Sequence, residues 1–306
     1  MIHQLDFNGL DKVEKAIKRL QGYEPPEGYY LCFSGGKDSV VIKTLADMAG
    51  VKYDAHYNVT SVDPPELVRF IKASYPDVKF EYPRDKEGNR ITMWTLIPQK
   101  KMPPTRMMRY CCAVLKESSG EGRLKVTGVR WAESARRKNS HGEVTIMDKK
   151  LKEIAEQEYS HIAYKVTPQG GIALPLDNRE NAQMVEQCYR TRSTSVNPII
   201  DWTDEEVWEF IHEYNIPYCE LYDQGYARLG CIGCPLAGAK VQKKEFEHYP
   251  KYKALYLKAF DNLVEVLNGK GRCKWRNGQD VMDWWLDDDN VAETEITELI
   301  NEERTD

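Results

Sequence analysis

Several features that would decide the class of this chain at once are missing from it. No apolar run approaches the roughly 20 residues a membrane-spanning helix needs, which excludes such a helix. The opening Met1-Ile2-His3-Gln4-Leu5-Asp6 lacks a basic stretch followed by an apolar one, so no signal peptide is expected and the cytoplasm is the expected compartment. No internal repeat or low-complexity block stands out. Histidine is scarce, six in 306 residues, and His56, His141 and His161 form no catalytic pairing, so solvated or packed rings are expected there. The phosphate loop GxxxxGK[ST] is absent. So is any RNA-reading module or base-stacking platform.

What is present describes a globular protein. Hydrophobic residues make up 41%, enough for a sizeable core in one large domain or two modest ones. The net charge of −5 is unevenly placed. Residues 287–306 carry nine acids and one arginine, and taking their −8 from the total leaves +3 for the body. A solvated acidic tail is therefore expected behind a mildly basic body. Basic residues gather at Lys100, Lys101, Arg106 and Arg109, then at Arg123, Lys125, Arg130, Arg136, Arg137 and Lys138. That distribution suits an anionic ligand or a solvated surface.

Hydrophobic periodicity predicts a helix over 9–21, with Asn8 as cap, and a buried strand at Tyr29-Tyr30-Leu31-Cys32-Phe33. Further helices are expected at 38–48, 65–74 (opened by Pro64-Pro65) and 204–214 (capped by Thr203), and over 240–267 with a break at Pro250. A last one is expected at 279–286. Strands are expected at 52–58, 78–81 and 124–129. Trp202 and Trp208 are expected in the core. Strands alternating with helices imply an α/β fold, a mostly parallel twisted sheet with helices on both faces. The expected organisation is an N-terminal helix and linker (1–27) and a nucleotide-binding domain (28–238) with an insertion at about 139–190 that holds a hairpin near 161–176. A helical C-terminal segment (239–286) and the tail (287–306) follow.

Between the first strand and its helix lies Ser34-Gly35-Gly36-Lys37-Asp38-Ser39. Glycines let backbone N–H groups approach an anion, and the helix N-terminus adds partial positive charge. Lys37 adds a full charge, and Ser34 and Ser39 add hydroxyls. Asp38 suits a phosphate site only as a helix cap or a Mg²⁺ ligand. Eight cysteines include the adjacent pair Cys111-Cys112 and the pair Cys231-Ile232-Gly233-Cys234. Four soft thiolates of this kind suit an iron–sulfur cluster. Zinc and unliganded buried thiols are the alternatives.

Ser34–Ser39 directly after the first strand resembles the PP-loop of the ATP pyrophosphatase superfamily, and the two cysteine pairs resemble those of its phosphoadenosine phosphosulfate (PAPS) reductase-like members. Thr127-Gly128-Val129-Arg130 through Arg136 looks like their anion-pocket stretch. Asn197-Pro198-Ile199-Ile200-Asp201-Trp202-Thr203 with Glu206-Val207-Trp208 is similar to their helix-start signature, and Leu221-Tyr222-Asp223-Gln224-Gly225-Tyr226 leads into the second cysteine pair. The resemblance runs from about Tyr29 to Pro235, outside the insertion. It implies an adenine nucleotide alpha hydrolase-like fold. It implies an ATP and Mg²⁺ site at Ser34, Gly35, Gly36, Lys37, Asp38 and Ser39, with Asn58 and Asp63 near the adenine. It further implies a 4Fe–4S cluster on Cys111, Cys112, Cys231 and Cys234.

Two departures bear on the reaction. The Glu-Cys-Gly-Leu-His segment of the reductases is absent, and Cys273 is the only cysteine after Cys234. The glycine-lysine pattern that reductases tend to lose is intact at Gly35, Gly36 and Lys37. Both favour cleavage of ATP between its α- and β-phosphates, as in the ATP pyrophosphatase component of DNA phosphorothioation systems or in tRNA thiolation. A sulfonucleotide reductase with Cys273 as nucleophile and a non-enzymatic nucleotide or redox sensor are the competing expectations. Lys37, Asp38, Arg130 and Arg136 are the expected catalytic residues. The expected partners are ATP, a nucleic acid, a cysteine desulfurase as sulfur donor and, left open, a second copy of this chain, with no membrane.

Overall fold

A computed structural model describes the chain except residues 7–8, 148–162, 168–170, 175–184, 186–192, 270, 272 and 288–306. His161, Cys188, most of the expected insertion and nearly all of the acidic tail therefore lie outside the described residues. The described residues fall into two compact units. One gathers Met1–Tyr57, Glu66–Glu81 and Ser119–Leu229; the other gathers Asn58–Pro65, Tyr82–Ser118 and the chain from Gly230 on.

The first unit is built on an α/β sheet. Its strands are β1 (Tyr29–Cys32), β2 (Tyr53–Asn58), β3 (Lys79–Glu81), β4 (Lys125–Val126), β5 (Val144–Met147), β6 (Lys165–Val166), β7 (Ile172–Leu174) and β8 (Ser193–Val196). They lie in the order β3-β2-β1-β4-β8-β5-β7-β6. β1 pairs in parallel with β2 and β4, and β4 in parallel with β8. Tyr29, Tyr30 and Leu31 of β1 are all buried, as a strand covered on both faces requires. Because β2 and β4 flank β1 on opposite sides, the chain reverses its direction of winding there. The crevice beyond the carboxyl ends of such strands is where open α/β sheets bind ligands.

The described strands of the expected insertion join this sheet. β5 pairs antiparallel with β8 and β7, and β6 with β7. Asn197, fully buried at the end of β8, fastens the junction. Its amide group donates to Gly142 O at 2.7 Å, and its backbone N donates to Glu143 O at 2.7 Å. The hairpin expected near 161–176 is present as β6 and β7.

Helix α1 (Lys12–Gly22) is capped by Asp11: Asp11 accepts from Glu14 N while Glu14 accepts from Asp11 N, a reciprocal box; the expected cap Asn8 lies outside the described residues. It packs on α2 (Lys37–Ala49). Helix α3 (Pro65–Ser74) and the short α6 (Ala135–Ser140) match no contrary pattern, but only α3 is expected from sequence. Helix α7 (Asp204–Glu213) starts at Thr203 as expected, with Glu206 completing the box, and packs on α2. Trp202 is fully buried, whereas Trp208 is only half-buried.

The second unit is helical. It contains α4 (Met93–Lys100), α5 (Tyr110–Leu115), α8 (Ala239–His248), α9 (Pro250–Asn268) and α10 (Gly278–Trp285). α9 packs on α4 and α10, with Met93, Ile97, Tyr256, Phe260, Leu263 and Trp285 in the core between them. The C-terminal helices are thus not a segment apart, because α4 from the middle of the chain completes their core.

Candidate active site

Helix α2 begins only a few residues after β1 ends, so the chain must turn abruptly between them. Gly35 makes the turn at φ +74°, and a Cβ there would lie 2.7 Å from Leu67 Cδ1 and 2.8 Å from Ile71 Cδ1. Only glycine fits. Gly36 caps α2 without a side-chain hydrogen bond, which leaves the first amides of the helix to other partners. Among the described residues the N–H groups of Gly35 and Asp38 have no acceptor. Ser34 Oγ donates to Ser39 Oγ at 3.3 Å, and Ser39 Oγ lies 2.8 Å from Gly36 O. Free amides and small hydroxyls at the positive end of a 13-residue helix make an anion site.

Lys37 is buried, with Nζ 3.5 Å from Asp204 Oδ1 and 3.7 Å from Asp38 Oδ2. Arg130 is more deeply enclosed, at 1% exposure. Its Nε donates to Asp38 Oδ1 at 2.6 Å, its Nη2 to Asp204 Oδ1, and its Nη1 to Trp202 O at 3.3 Å. Burial alone would lower the guanidinium pKa, but the carboxylates of Asp38 and Asp204 hold it above its ordinary value. Burial likewise works to raise the Asp204 carboxyl, yet Arg130 and Lys37 keep it below the usual range. The two cations and two carboxylates thus neutralise one another around the loop. Asp38 was expected as a cap or a metal ligand, and Arg130 as a charge facing the reacting phosphate. The structure pairs them with each other, since a buried charge without a partner is strongly unfavourable. Arg136 stands on α6 exposed to solvent.

The four cysteines expected to act together do line one pocket, with Thr60, Lys116 and Tyr256. The pocket measures about 340 Å³ including its open mouth. Cys111 and Cys112 lie in the first turn of α5, so both point from one helix start. The second pair sits on a turn shaped by Gly233, at φ +72°, where a Cβ would lie 2.6 Å from Phe246 Cζ. That turn is held by Glu245, which accepts from Gly233 N at 2.7 Å, and by Gln242, which donates to Gly233 O at 3.0 Å. Cys231 Sγ is 3.6 Å from Thr60 Oγ1.

The charges fit anionic sulfur. Cys112 is pulled below its ordinary value, first by a hydrogen bond from Cys111 and then, against burial, by Arg109 and Lys116. Cys111 is pushed up correspondingly, first by that same bond and then by burial. The Lys116 ammonium rises above its ordinary value, chiefly through Cys231. Lys116 is exposed as a residue, but its charged end lines the thiol pocket. No three of the described His, Cys, Asp and Glu side chains are arranged around a single metal ion. Two pairs of soft thiols lining one pocket could hold either a zinc ion or an iron–sulfur cluster.

The model of the phosphoadenosine phosphosulfate reductase domain matches residues 28–237, which include the loop and both cysteine pairs. The chain belongs to the PAPS reductase family. That family lies within the PP-loop superfamily. An adenosine 5'-phosphosulfate reductase of Staphylococcus epidermidis is 24% identical over 249 residues, 76% of this chain and 81% of its own length. Other relatives of the same name match over shorter stretches. That of Oceanobacillus iheyensis is 42% identical over 57 residues, 19% of this chain and 24% of the relative. That of Bacillus cytotoxicus is 36% identical over 64 residues, 21% of this chain, and there the chain spans only 27% of the relative's length. The crystal structure of PAPS reductase from Candida auris, a phosphate complex, aligns with a TM-score of 0.42 at 15% identity, over 74% of this chain and 96% of that one.

In this PAPS reductase-family chain the remaining expected residues have specific places. Asp63 is buried and accepts from Thr60 N and Thr60 Oγ1, both at 2.8 Å, so it closes a tight turn. Asn58 donates to Lys116 O at 3.0 Å. Cys273 is half-buried, with Sγ 3.1 Å from Trp275 O. His56 stacks on Tyr30 with ring centroids 4.0 Å apart and pairs with Glu81 at 2.8 Å, a packed ring as expected. Three residues at these sites escape sequence reasoning. Tyr222 accepts from Lys37 N at 2.8 Å, Asp204 joins the loop's charges, and Lys116 reaches the thiols. Their sequence signal is weak, since all depend on contacts across long stretches of chain.

Proposed function

We propose that this chain is an ATP pyrophosphatase of the PP-loop type that activates an acceptor for sulfur transfer. The observation that carries this reading is the intact loop Ser34–Ser39, with a buried lysine and free amides at the start of α2. Gly35 and Asp38 N–H groups, with Ser34, Ser39 and Lys37, receive the β- and γ-phosphates. An acceptor oxygen attacks the α-phosphorus as the bond from that phosphorus to the bridging oxygen breaks. Pyrophosphate leaves with the electron pair and is held by Lys37 and the helix dipole, and an adenylated acceptor remains. Arg130 fixes Asp38 against α7, which orients the loop without touching substrate. Mg²⁺ would enter with the nucleotide. Exposed Arg136 and its basic neighbours support a nucleic-acid acceptor, through contact with phosphates.

Cys111, Cys112, Cys231 and Cys234 would hold a 4Fe–4S cluster, which would supply electron exchange when bound. Arg109 and Lys116 offset the negative charge of those thiolates. A cysteine desulfurase is the proposed source of sulfur.

Anaerobic incubation with ATP and candidate nucleic acids, followed by analysis of nucleotides, tests the proposal. One pyrophosphate is expected for each adenylate, counted as adenylate left on the acceptor plus AMP released when sulfur from a cysteine desulfurase and cysteine displaces it. Release of ADP and phosphate, or no turnover with any acceptor, overturns it. The relatives named adenosine 5'-phosphosulfate reductase support a second reading, reduction of an adenylyl sulfate. That reading needs a free thiol nucleophile, and Cys273, half-buried with Sγ 3.1 Å from Trp275 O, is the expected one. Sulfite release that disappears in Cys273→Ser would establish it over the first.

A further inference from the structure

The hydroxyl of Tyr222 occupies an unusual place. It belongs to a 3-10 turn, Glu220–Tyr222, in the same compact unit as the phosphate loop but far from it in sequence. Its oxygen accepts from Lys37 N at 2.8 Å, the first amide of α2. Helix starts normally satisfy such an amide with a capping side chain or with water. Here Gly36 has no side chain to offer, and a Cβ at Gly36 would already lie 3.3 Å from the Tyr222 oxygen. A tyrosine therefore does the capping from outside the helix.

An oxygen that accepts one hydrogen bond still carries a proton to give. Among the described residues the Tyr222 O–H has no acceptor. The ring is half-buried, and Trp208 meets it edge-on with centroids 5.1 Å apart. Tyr218 packs at 6.5 Å, and Lys37 Nζ lies 6.0 Å from the ring centroid. Burial raises the phenol pKa well above its ordinary value, so the group remains a neutral donor at any physiological pH. The hydroxyl is thus anchored to the loop backbone through Lys37 N, with an aromatic wall beside its ring, and left with one unused donor beside an anion site.

We propose that Tyr222 is a positioning residue for the nucleotide phosphates: its oxygen holds the Lys37 amide while its hydroxyl proton is donated to a non-bridging oxygen of the β- or γ-phosphate. The proposal rests on the assignment of Ser34–Ser39 as the site of those phosphates. A donor fixed on the loop adds to the backbone amides without adding charge, so it selects for an oxygen at one position and not for anions in general. AMP, whose single phosphate does not reach the β and γ positions, gains nothing from it.

Equilibrium binding of Mg·ATP and of AMP is measured for the wild type, Tyr222→Phe and Trp208→Phe. A hydrogen bond to a charged group corresponds to roughly tenfold in affinity at the low end of its range. Tyr222→Phe is expected to bind Mg·ATP about tenfold more weakly and AMP with unchanged affinity. Trp208→Phe, which alters the wall and keeps the hydroxyl, is expected to bind both as the wild type does. Equal ATP affinity in Tyr222→Phe overturns the proposal, as does an equal loss in Trp208→Phe, which would assign the effect to packing. A wild type that binds AMP but gains nothing from the β- and γ-phosphates instead overturns the loop assignment itself. Thermal melts of each variant accompany the titrations. If Tyr222→Phe is unfolded, ATP binding by the full chain Tyr222→His, whose ring N–H can still donate, decides the matter, and affinity no better than that of Tyr222→Leu counts against the hydroxyl's role.

Discussion

Lys37 and Arg130 are both buried cations next to Asp38 and Asp204, yet they differ in what each is free to do. Lys37 stands 3.5 Å and 3.7 Å from its carboxylates, while Arg130 donates at hydrogen-bond distance to both and to Trp202 O. A phosphate can draw the first away and not the second. Lys37→Ala is therefore expected to lower ATP turnover by about a hundredfold or more while leaving the melting temperature nearly unchanged. Arg130→Met should lower stability by about 2–3 kcal/mol, less than a fully buried pair because Asp204 is 60% exposed, with activity falling as the loop loosens. Denaturant titration beside a turnover assay separates the two, and equal stability losses would contradict the division of roles. Lys37 is legible in sequence because its neighbours in the chain are its neighbours in the site. The restraint on Arg130 is not, because Asp204 lies 74 positions away.

At the scale of elements, local chemistry was a good guide wherever an element makes its own boundaries. Thr203 and Glu206 close a capping box, Pro65 opens α3, and Pro250 starts α9, so those helices stand where their sequences place them. Strand β8, Ser193-Thr194-Ser195-Val196, shows no apolar run. It is a strand because β4 and β5 supply partners on its two sides. Helix α4 carries Pro98 and shows no sequence promise, yet α9 packs along it. The turn before α2 depends on Gly35, whose positive φ and contact with Leu67 both resist a side chain. Gly35→Ala is expected to destabilise by about 1–3 kcal/mol and to weaken ATP binding. Denaturant melts and ATP titration check this, and a fully stable variant with normal affinity would show that the turn can be made another way. The turn at Gly233 offers a parallel case for the thiols. Cys231→Ser in anaerobically purified protein should lose most of its iron and its absorbance near 400 nm while remaining folded; wild-type protein that is colourless and iron-free would remove the cluster from the proposal.

The sheet-bearing unit as a whole is tied together by charges its sequence does not announce. Arg19 of α1 is buried and pairs with Asp201 at 2.8 Å and Glu143 at 2.6 Å, which joins the N-terminal helix to the start of α7 and to the entry of β5 within one unit. Burial alone would raise the Asp201 carboxyl, but Arg19, foremost among its partners, keeps it below the ordinary value near 3.8. The unfolded chain then binds a proton more readily than the folded one as pH falls. The pair's contribution is present above about pH 4 and is lost as pH falls further, through the depressed folded value. Asp201→Asn should therefore be less stable than the wild type at pH 7, and the gap should close below pH 4. Denaturant melts across pH 2.5 to 7 measure this, and a gap independent of pH would show that the carboxylate is not the source.

The interleaving of the two units has a consequence for how the protein is made. The helical unit draws on Asn58–Pro65, Tyr82–Ser118 and the chain from Gly230 on, so its cysteine pocket has one pair from each side of a long intervening stretch. A ribosome adding about 5–20 residues per second leaves on the order of ten seconds between the first pair and the second. During that interval Cys111 and Cys112 have no partner pair, and α4 lacks the helix that buries it. A nascent chain halted at Leu229 would already hold the phosphate loop, Arg130, Asp204 and Tyr222, yet only half of the thiols. Nucleotide binding can thus come of age during synthesis, while any metal must wait for the last quarter of the protein.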